Sequence, residues 1–352
     1  MKKLKGLTLL GISALLLGAC GTNNESASSK SGGSDDPIII YSNAASDGRG
    51  DYFVDAAAEA GFNIEFVELG GTDLINRLVA EKDAPIADVV FGLNQMNFDT
   101  LRQEELLEAY EPAWAGDIDP SIEVAEDQLY HPIDIARVFP IYNADIIDEA
   151  DVPTDWSDFY ADSKYHGQYR VQTGLGGATD TAAMYIHLIN HRDEDGEMGV
   201  SQEGWDNLTA WFDNGYATPE SEDWVQNFVD GKVPYSFTFM SNVGTIEEEY
   251  GVNVGIINPE SGVIQTVEQI GVVADGEDNS QEQALIDWFG SEEVMEGFAA
   301  EHNQMPANKN AQDAAPESLT KVMDATTPAD IDFQWVNEWV NEWVEFAELN
   351  IL

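Results

Sequence analysis

The chain has 352 residues, of which 66 are acidic and 15 are Lys or Arg, giving a formal net charge of −51. Nucleic acid is excluded as a partner, because phosphate backbones require a basic surface. With 43% hydrophobic residues and nine tryptophans the chain is not an acidic disordered tail, and it is long enough for two domains. The acid is interpreted as a solvating surface, as expected of an exported protein facing high salt or high pH.

The N-terminal segment has the parts of an export signal. A lysine-rich start, MKKLK, precedes an apolar stretch at 7–17 that is too short to span a membrane, and Leu-Gly-Ala-Cys follows. This order resembles a bacterial lipoprotein signal peptide occupying residues 1–19, which implies that Cys20 carries the lipid. Cys20 is the only cysteine, so no disulfide can form within the chain. Residues 20–36, rich in Ser, Gly and Asn, are predicted to be a flexible tether.

Beyond the tether, short apolar runs alternate with helical patterns, which predicts an α/β fold. The first three strands and two helices follow the order of a parallel sheet. The predicted strands are 38–41, 63–67, 87–93, 136–142, 169–172, 233–239, 252–257 and 263–274; the predicted helices are 52–60, 72–81, 179–190, 204–214 and the region from residue 280 onwards.

The C-terminal segment places Trp335, Trp339 and Trp343 four residues apart. This spacing forms one broad apolar stripe on a helix. We predict that the stripe packs in the core; a membrane-surface or partner-binding helix is the alternative.

Small and polar residues follow each of the first three predicted strands. Ligands bind at the carboxyl ends of strands in open α/β sheets, so these residues are candidate ligand contacts. Glycine at 92 would let the backbone approach the ligand, and amides offer donors and acceptors without a fixed charge. Helix capping is the alternative for the first pair, and Thr72 or Asp73 is the predicted cap of the second helix. The candidates are Ser42 and Asn43, then Gly71 and Thr72, then Asn94 and Gln95.

A glycine-rich loop, TGLGGAT at 173–179, precedes a predicted helix. Its backbone amides could hold a phosphate or carboxylate, with Thr173, Gly177 and Thr179 as the candidate contacts. The loop lacks the lysine of a nucleotide-binding P-loop. A plain flexible loop is the alternative.

The sequence contains no convincing catalytic or metal set. His187 and His191 have a spacing that suits a metal, but without further ligands they are predicted to be surface or packing residues. No Gly-x-Ser-x-Gly elbow is present, so a secreted hydrolase is the rival class rather than the prediction. No enzyme activity, metal or cofactor is predicted.

Six motifs spread over nearly the whole mature chain resemble one family. Their order is similar to that of the extracytoplasmic solute-binding proteins of ABC importers, in the branch with thiamine-binding and ferric-iron-binding members. The motifs are YSN at 41–43, LINRL at 74–78, ADVVFGLNQ at 87–95, PIDIARVFPIYN at 132–143, DGKVPYSFTFMSN at 230–242 and TTPADIDFQWVNEW at 326–339.

The resemblance implies the type II periplasmic-binding-protein fold, with two Rossmann-like α/β lobes around a ligand cleft. Lobe 1 would comprise 37–136 and 262–352, and lobe 2 would comprise 137–261. Two crossover strands would join the lobes, near 136–142 and 255–274. The resemblance further implies a monomer held by lipid on the outer face of the cell membrane. It would capture a small solute by lobe closure and pass it to a permease.

The resemblance also bears on the cargo. Trp224 and Phe237 fall where thiamine binders carry cleft aromatics, and Asp134 could offset a positive charge. Gln304 stands where those proteins have a tryptophan. Arg137 matches an arginine that iron binders use for an anion, with a salt bridge to an acid as the alternative. Thiamine or a related compound is the predicted cargo; a phosphonate, a sugar phosphate or ferric iron is the alternative.

Overall fold

Runs of β-branched and aromatic residues form the strands of one mixed sheet. The computed structural model describes residues 36–276 and 278–352. In this part of the chain the sheet has nine strands, and a separate pair is formed by β6 and β8. The strands are β1 Ile38–Ser42, β2 Ile64–Glu68, β3 Val89–Asn94, β4 Leu107–Glu108, β5 His131–Asn143, β6 Arg170–Val171, β7 Arg192–Glu197, β8 Tyr216–Ala217, β9 Tyr235–Phe239, β10 Val254–Ile256, β11 Ile264–Val273 and β12 Met305–Pro306.

Strands β1, β2 and β3 confirm the parallel sheet predicted from the sequence. β1 pairs in parallel with β2 on one side and with β3 on the other. The first five residues of β3, Val89 to Leu93, are buried, as expected for a strand covered on both faces. The carboxyl ends of all three strands therefore lie along one edge of the sheet.

Strand β5 changes partners near its middle. Its first half, up to Val138, pairs antiparallel with β11, and its second half pairs with β9 and β10. β11 in turn pairs with β3. β5 and β11 therefore connect the parallel part of the sheet to the strands around β9.

Most predicted helices are confirmed within a few residues. The exception is 179–190, where the helix ends at Tyr185 and a short 3-10 turn, Ile189–His191, follows. The helices are α1 Arg49–Ala60, α2 Gly71–Ala80, α3 Gln95–Gln103, α4 Asp158–Ala161, α5 Ala178–Tyr185, α6 Gln202–Asn214, α7 Trp224–Val229, α8 Asn242–Tyr250, α9 Ser280–Phe289, α10 Glu292–His302, α11 Glu317–Ala325 and α12 Phe333–Asn350. Further 3-10 helices are Ala115–Asp117, Glu149–Asp151, Ser163–Tyr165 and Lys309–Ala314.

Helix α12 packs as its tryptophan spacing predicts. Trp335 and Trp343 are buried in one apolar cluster with Trp205. The indole of Trp343 donates to the carbonyl of Met198 over 3.0 Å. Trp339 is half-buried against the same cluster. The stripe therefore belongs to the core rather than to a membrane-facing surface.

The predicted cap of α2 is wrong. Gly70 occupies the N-cap position with an extended backbone, and no side chain caps the helix. Four strands, β4, β7, β8 and β12, were not predicted. β4 and β12 have only two residues each and exist because they pair with β11 and β5, which no local pattern indicates.

Candidate functional site

The edge formed by the ends of β1, β2 and β3 gathers several predicted contacts. The Asn43 side chain lies between Gly92 and Gly71: its Oδ1 is 3.0 Å from the position of a Cβ on Gly92, and its Nδ2 is 3.7 Å from that of a Cβ on Gly71. Ser42 is buried and its Oγ accepts from the amide of Ala44 over 3.0 Å. Asn43 is thus exposed at this edge, as is Thr72 at the start of α2, while Ser42 is buried and holds the turn.

The reason for glycine at 92 differs from the one predicted. Gly92 has φ +96, and a Cβ there would lie 2.3 Å from the Cβ of Ala44. The close approach is therefore made by the turn after β1 rather than by a ligand.

Asn94 and Gln95 both have structural partners. Asn94 caps α3, its Oδ1 accepting from the amide of Asn97 over 3.1 Å. The Oε1 of Gln95 accepts from the amide of Val267 in β11 over 2.9 Å. These amides fix α3 to the sheet, and Gln95 lies beside β11 rather than at the sheet edge near Asn43.

Asp134 belongs to a buried charged group that we call the Arg49 cluster: Arg49, Asp134 and Glu268. Asp134 of β5 and Glu268 of β11 are opposite each other in the strand register. Nη2 of Arg49 lies 2.5 Å from Glu268 Oε2 and 3.3 Å from Asp134 Oδ2. The guanidinium also lies 5.2 Å from the ring centroid of Phe298. One cation thus faces two carboxylates.

The second oxygen of Asp134, Oδ1, is buried without a hydrogen-bond partner among the described residues. Burial, followed by the charge of Glu268, raises the pKa of Asp134 well above its usual range. Arg49 therefore offsets the charge of Asp134 only in part, and the Asp134 carboxyl group favours its protonated form. Arg49 and Glu268 were not predicted from the sequence; Glu268 is an acid within a β-rich stretch, which was the available signal.

Gln304 directly precedes β12, the strand that pairs with β5 at the Arg49 cluster. Two residues later, Pro306 of β12 pairs with Asp134 of β5. Nε2 of Gln304 donates to the carbonyl of His302 over 2.9 Å. The side chain is half-buried, so the position that matches a tryptophan in thiamine binders carries a polar group here.

Both predicted roles of Arg137 differ from its observed contacts. Its Nε donates to Gln265 Oε1 over 2.9 Å, and its Nη1 donates to the carbonyls of Met323 and Thr326, each over 3.0 Å. The side chain is buried, and burial lowers its pKa to about 10, so it stays charged at neutral pH. These bonds tie β5 to the end of α11, and no salt bridge joins Arg137 to an acid within the described part of the chain.

The glycine loop holds a carboxylate of its own chain. The amide of Leu175 donates to Oε1 of Glu348 in α12 over 3.1 Å. Asp180 stands in the first turn of α5, where it opposes a bound anion, and is paired with Arg170 over 3.1 Å. Thr173 and Gly177 are exposed and Thr179 is half-buried. The anion-binding features of this loop are thus partly used within the protein.

Arg170 joins the two predicted aromatics. Its guanidinium carbon lies 4.8 Å from the ring centroid of Trp224 and 4.3 Å from that of Phe237. Phe237 is fully buried and packs as an apolar core side chain beneath Arg170. A solute would reach its ring only after a change of conformation, so its contact with a ligand stays a prediction. Arg170 itself was not predicted.

Arg170, Trp224, Thr173 and Asp180 line a cavity of about 580 Å³. The cavity also carries Glu220, Glu222 and Asp223, so carboxylates outnumber cations in its wall. A larger cavity, of about 1000 Å³, lies beside β11 and includes Gln95 but none of the other candidates. Most of the predicted residues therefore lie in or near three places: the sheet edge, the Arg49 cluster and the 580 Å³ cavity. Gln95 lines the larger cavity instead, and Arg137 lies between β5 and α11.

Within 36–276 and 278–352, no three His, Cys, Asp or Glu side chains are arranged to hold a metal ion. His187 is buried among aromatic rings, 4.6 Å from Trp211 between centroids, which agrees with the predicted packing role. None of the described helices is long and apolar enough to cross a membrane.

Comparison with known proteins identifies the family. A profile of bacterial extracellular solute-binding proteins matches residues 52–327, which is most of the chain. The chain belongs to this family. A probable ABC transporter periplasmic-binding protein from Sinorhizobium fredii is 27% identical over 318 residues, covering 90% of this chain and 87% of that protein.

Solved structures show the same fold for this solute-binding protein. Iron-bound HitA from Pseudomonas aeruginosa has a TM-score of 0.68 at 18% identity, covering 89% of this chain and 98% of its own. AfuA from Actinobacillus pleuropneumoniae, with exogenous fructose-6-phosphate bound, has a TM-score of 0.62 at 18% identity. The match covers 90% of this chain and 98% of AfuA. The fold is that of type II periplasmic-binding proteins, as the sequence motifs imply. The chain is thus an extracellular solute-binding protein, and its relative from Sinorhizobium fredii is named as the binding protein of a probable ABC transporter.

Proposed function

We propose that this solute-binding protein captures a small organic cation, thiamine or a related compound, and delivers it unaltered to an ABC permease. The capture site would lie between the sheet edge at Asn43 and the 580 Å³ cavity at Trp224. Its wall would combine uncharged amides and hydroxyls with one exposed aromatic face and an excess of carboxylates.

The observation that carries this proposal is that the groups able to bind an anion already have carboxylates of the chain beside them. The Leu175 amide of the glycine loop is occupied by Glu348, and the first turn of α5 carries Asp180. Arg49 and Arg170 are both paired with carboxylates of the chain. An anionic cargo would have to displace these carboxylates, whereas a cation would meet an acidic surface without displacing one.

Trp224 supplies the other part of the argument. A guanidinium already lies 4.8 Å from its ring, which indicates that this position suits a planar cation. Cation–π contact contributes about 0.5–2 kcal/mol. A flat heteroaromatic cation entering the cavity would use the same ring beside Arg170.

Capture would work by closure of two lobes, 37–136 with 262–352 and 137–261, about β5 and β11. A solute that contacts both lobes stabilises the closed state by its differential affinity for that state. The partner exchange of β5 at Val138 supports this position for the hinge, because the strand passes there from one group of strands to another.

We further propose that the protein is anchored by lipid on Cys20 at the outer face of the cell membrane. Cys20 and the signal at 1–19 lie outside the described residues, so the proposal depends on the sequence motif. Detergent phase partition of protein made in its bacterial host tests it: wild type should enter the detergent phase, and Cys20→Ser should remain in the aqueous phase.

Isothermal titration calorimetry with parallel arms tests the cargo. Thiamine should bind, and Trp224→Ala should weaken binding about tenfold. The control is Trp339→Ala, a half-buried tryptophan of α12 away from the cavity. If fructose-6-phosphate or ferric citrate binds and thiamine does not, the cargo proposal is wrong. Mass spectrometry of the released compound separates transport from hydrolysis, since a binding protein returns its cargo unchanged.

A further inference from the structure

The 1000 Å³ cavity beside β11 is separate from the capture site proposed above. Its walls are the α3 helix, the loop at 121–130, the face of β11 carrying Gln265, Val267 and Gln269, and the segment at 328–334. None of the glycine loop, Trp224 or the Arg49 cluster lines it. Its volume is at the upper end of ordinary small-molecule sites.

Carboxylates surround this cavity on two opposite walls. Its lining includes six acids and one arginine. The acids are Asp99, Glu123, Glu126 and Asp127 on the side of α3 and the 121–130 loop, and Asp330 and Asp332 on the side of the 328–334 segment.

Several of these acids are already used, and several are not. Arg102 pairs with Asp99 over 2.6 Å and with Asp127 over 3.6 Å. Asp332 caps α12 and pairs with Arg192 over 2.9 Å. Among the described residues, the side chains of Glu123, Glu126 and Asp330 have no hydrogen-bond or ion-pair partner, so each wall retains free negative charge.

Acidic side chains alone do not indicate a binding site in so acidic a chain. Three glutamines that line the cavity beside β11, Gln95, Gln265 and Gln269, supply an independent observation. Oε1 of Gln95 accepts from the Val267 amide, and Oε1 of Gln265 accepts from Arg137. Gln269 is only 1% exposed, and its Oε1 is buried with no partner among the described residues. A buried acceptor without a donor is unfavourable, and a ligand N–H would satisfy it.

We propose that this cavity is a second binding site, for a small organic dication held between the buried side chain of Gln269 and the unpaired carboxylates of the rim, Glu123, Glu126 and Asp330. One ammonium would donate to Gln269 Oε1 and the other would lie among the rim acids. The apolar side chains of Ile122, Val124 and Val267 would contact the methylenes between the charges. A single metal ion fits less well, because no three acidic side chains in the described part of the chain are grouped to hold one.

Calorimetry with putrescine, in low salt and with saturating thiamine present, tests the site. Putrescine should bind with one-to-one stoichiometry and raise Tm, while n-butylamine and magnesium should bind at least about tenfold more weakly. The double variant Glu123→Gln with Asp330→Asn, which neutralises one free carboxylate on each wall, should weaken putrescine binding about tenfold.

The matched control is Glu59→Gln with Glu65→Gln, which removes two exposed charges elsewhere on the surface. Gln269→Met, which keeps the volume and removes the acceptor, should also weaken putrescine binding. The proposal is overturned if putrescine gives no heat at millimolar concentration, or if the control pair weakens binding as much as the rim pair. It is also overturned if putrescine and thiamine compete one for one. If thiamine does not bind, the cargo proposal fails, but the comparison of the rim pair with the control pair still tests the putrescine site.

Discussion

Asp134 and Glu268 face each other on neighbouring antiparallel strands and share the guanidinium of Arg49. Two carboxylates compete for one guanidinium, and Asp134, the more deeply buried of the two, favours its protonated form. This arrangement ties the start of α1 to both β5 and β11, the two strands about which we propose that the lobes close. It also makes the stability of this region dependent on pH.

Asp134→Asn should flatten the pH dependence of stability and raise Tm at pH 8. Burial and the charge of Glu268 raise the pKa of Asp134 in the folded protein. The contribution to stability is therefore complete below about pH 4 and is lost as pH rises towards the folded-state pKa, by up to about 1.4 kcal/mol per pH unit. Thermal unfolding of wild type and variant from pH 4 to 9 measures this, with exposed Asp55→Asn as the control. Equal slopes for Asp134→Asn and wild type would contradict the expectation.

His187→Leu should have the opposite pH signature. Burial, with a smaller effect of His191, lowers the pKa of His187 to about 3. Its contribution is present above about pH 6.5 and is lost as pH falls towards the folded-state pKa, by up to about 1.4 kcal/mol per pH unit. Removing the imidazole should make acid unfolding less steep between pH 6 and 4. The surface variant His166→Leu should leave the slope unchanged, and an equal effect of both variants would count against the interpretation.

Gly92→Ala should destabilise the protein more than Gly61→Ala. Both glycines have positive φ, +96 and +92, but a Cβ on Gly61 meets nothing within 4 Å, whereas one on Gly92 lies 2.3 Å from the Ala44 Cβ. We expect about 1 kcal/mol for Gly61→Ala, from the backbone conformation, and about 3 kcal/mol or more for Gly92→Ala. Urea unfolding measures both, and similar losses would show that the approach of Ala44 is not a constraint.

Arg137→Met should lower stability without changing cargo affinity in the folded fraction. The variant removes a hydrogen bond to Gln265 and two to backbone carbonyls near the end of α11. We expect a loss of about 3 kcal/mol, because each bond has a charged donor and its partners are left unsatisfied. Arg77→Met, at an exposed ion pair on α2, should cost far less, because surface ion pairs contribute little to stability. A loss of affinity without a loss of stability would instead assign Arg137 to the cargo.

Trp343→Ala should cost more than Trp339→Ala although both lie on the same stripe of α12. Trp343 is fully buried, lies 5.0 Å from Trp335 between ring centroids and donates to Met198, whereas Trp339 is half-buried. We expect about 3–5 kcal/mol for Trp343→Ala and less than half of that for Trp339→Ala. Chemical denaturation compares them, and equal losses would mean that the helix is held by its whole stripe rather than by its inner face.

Local pattern was sufficient for about two thirds of the helices and strands and for the family. The alternation of apolar runs and helical segments predicted β1 to β3 and most helices, because periodicity depends on residues close together in the chain. The tryptophan spacing likewise predicted the buried stripe of α12. The order of the motifs indicated the family, because the six short segments follow the order found in that family over nearly the whole mature chain.

The partners of the charged and polar side chains were decided only by the tertiary structure. Arg49 and Glu268 are 219 residues apart, and Leu175 and Glu348 are 173 apart. Nothing in the local sequence of either residue indicates such a pair, because register and packing bring them together. The same reason explains Phe237 and Arg137, which resemble ligand contacts as residues of a motif but are buried by elements that the motif does not contain.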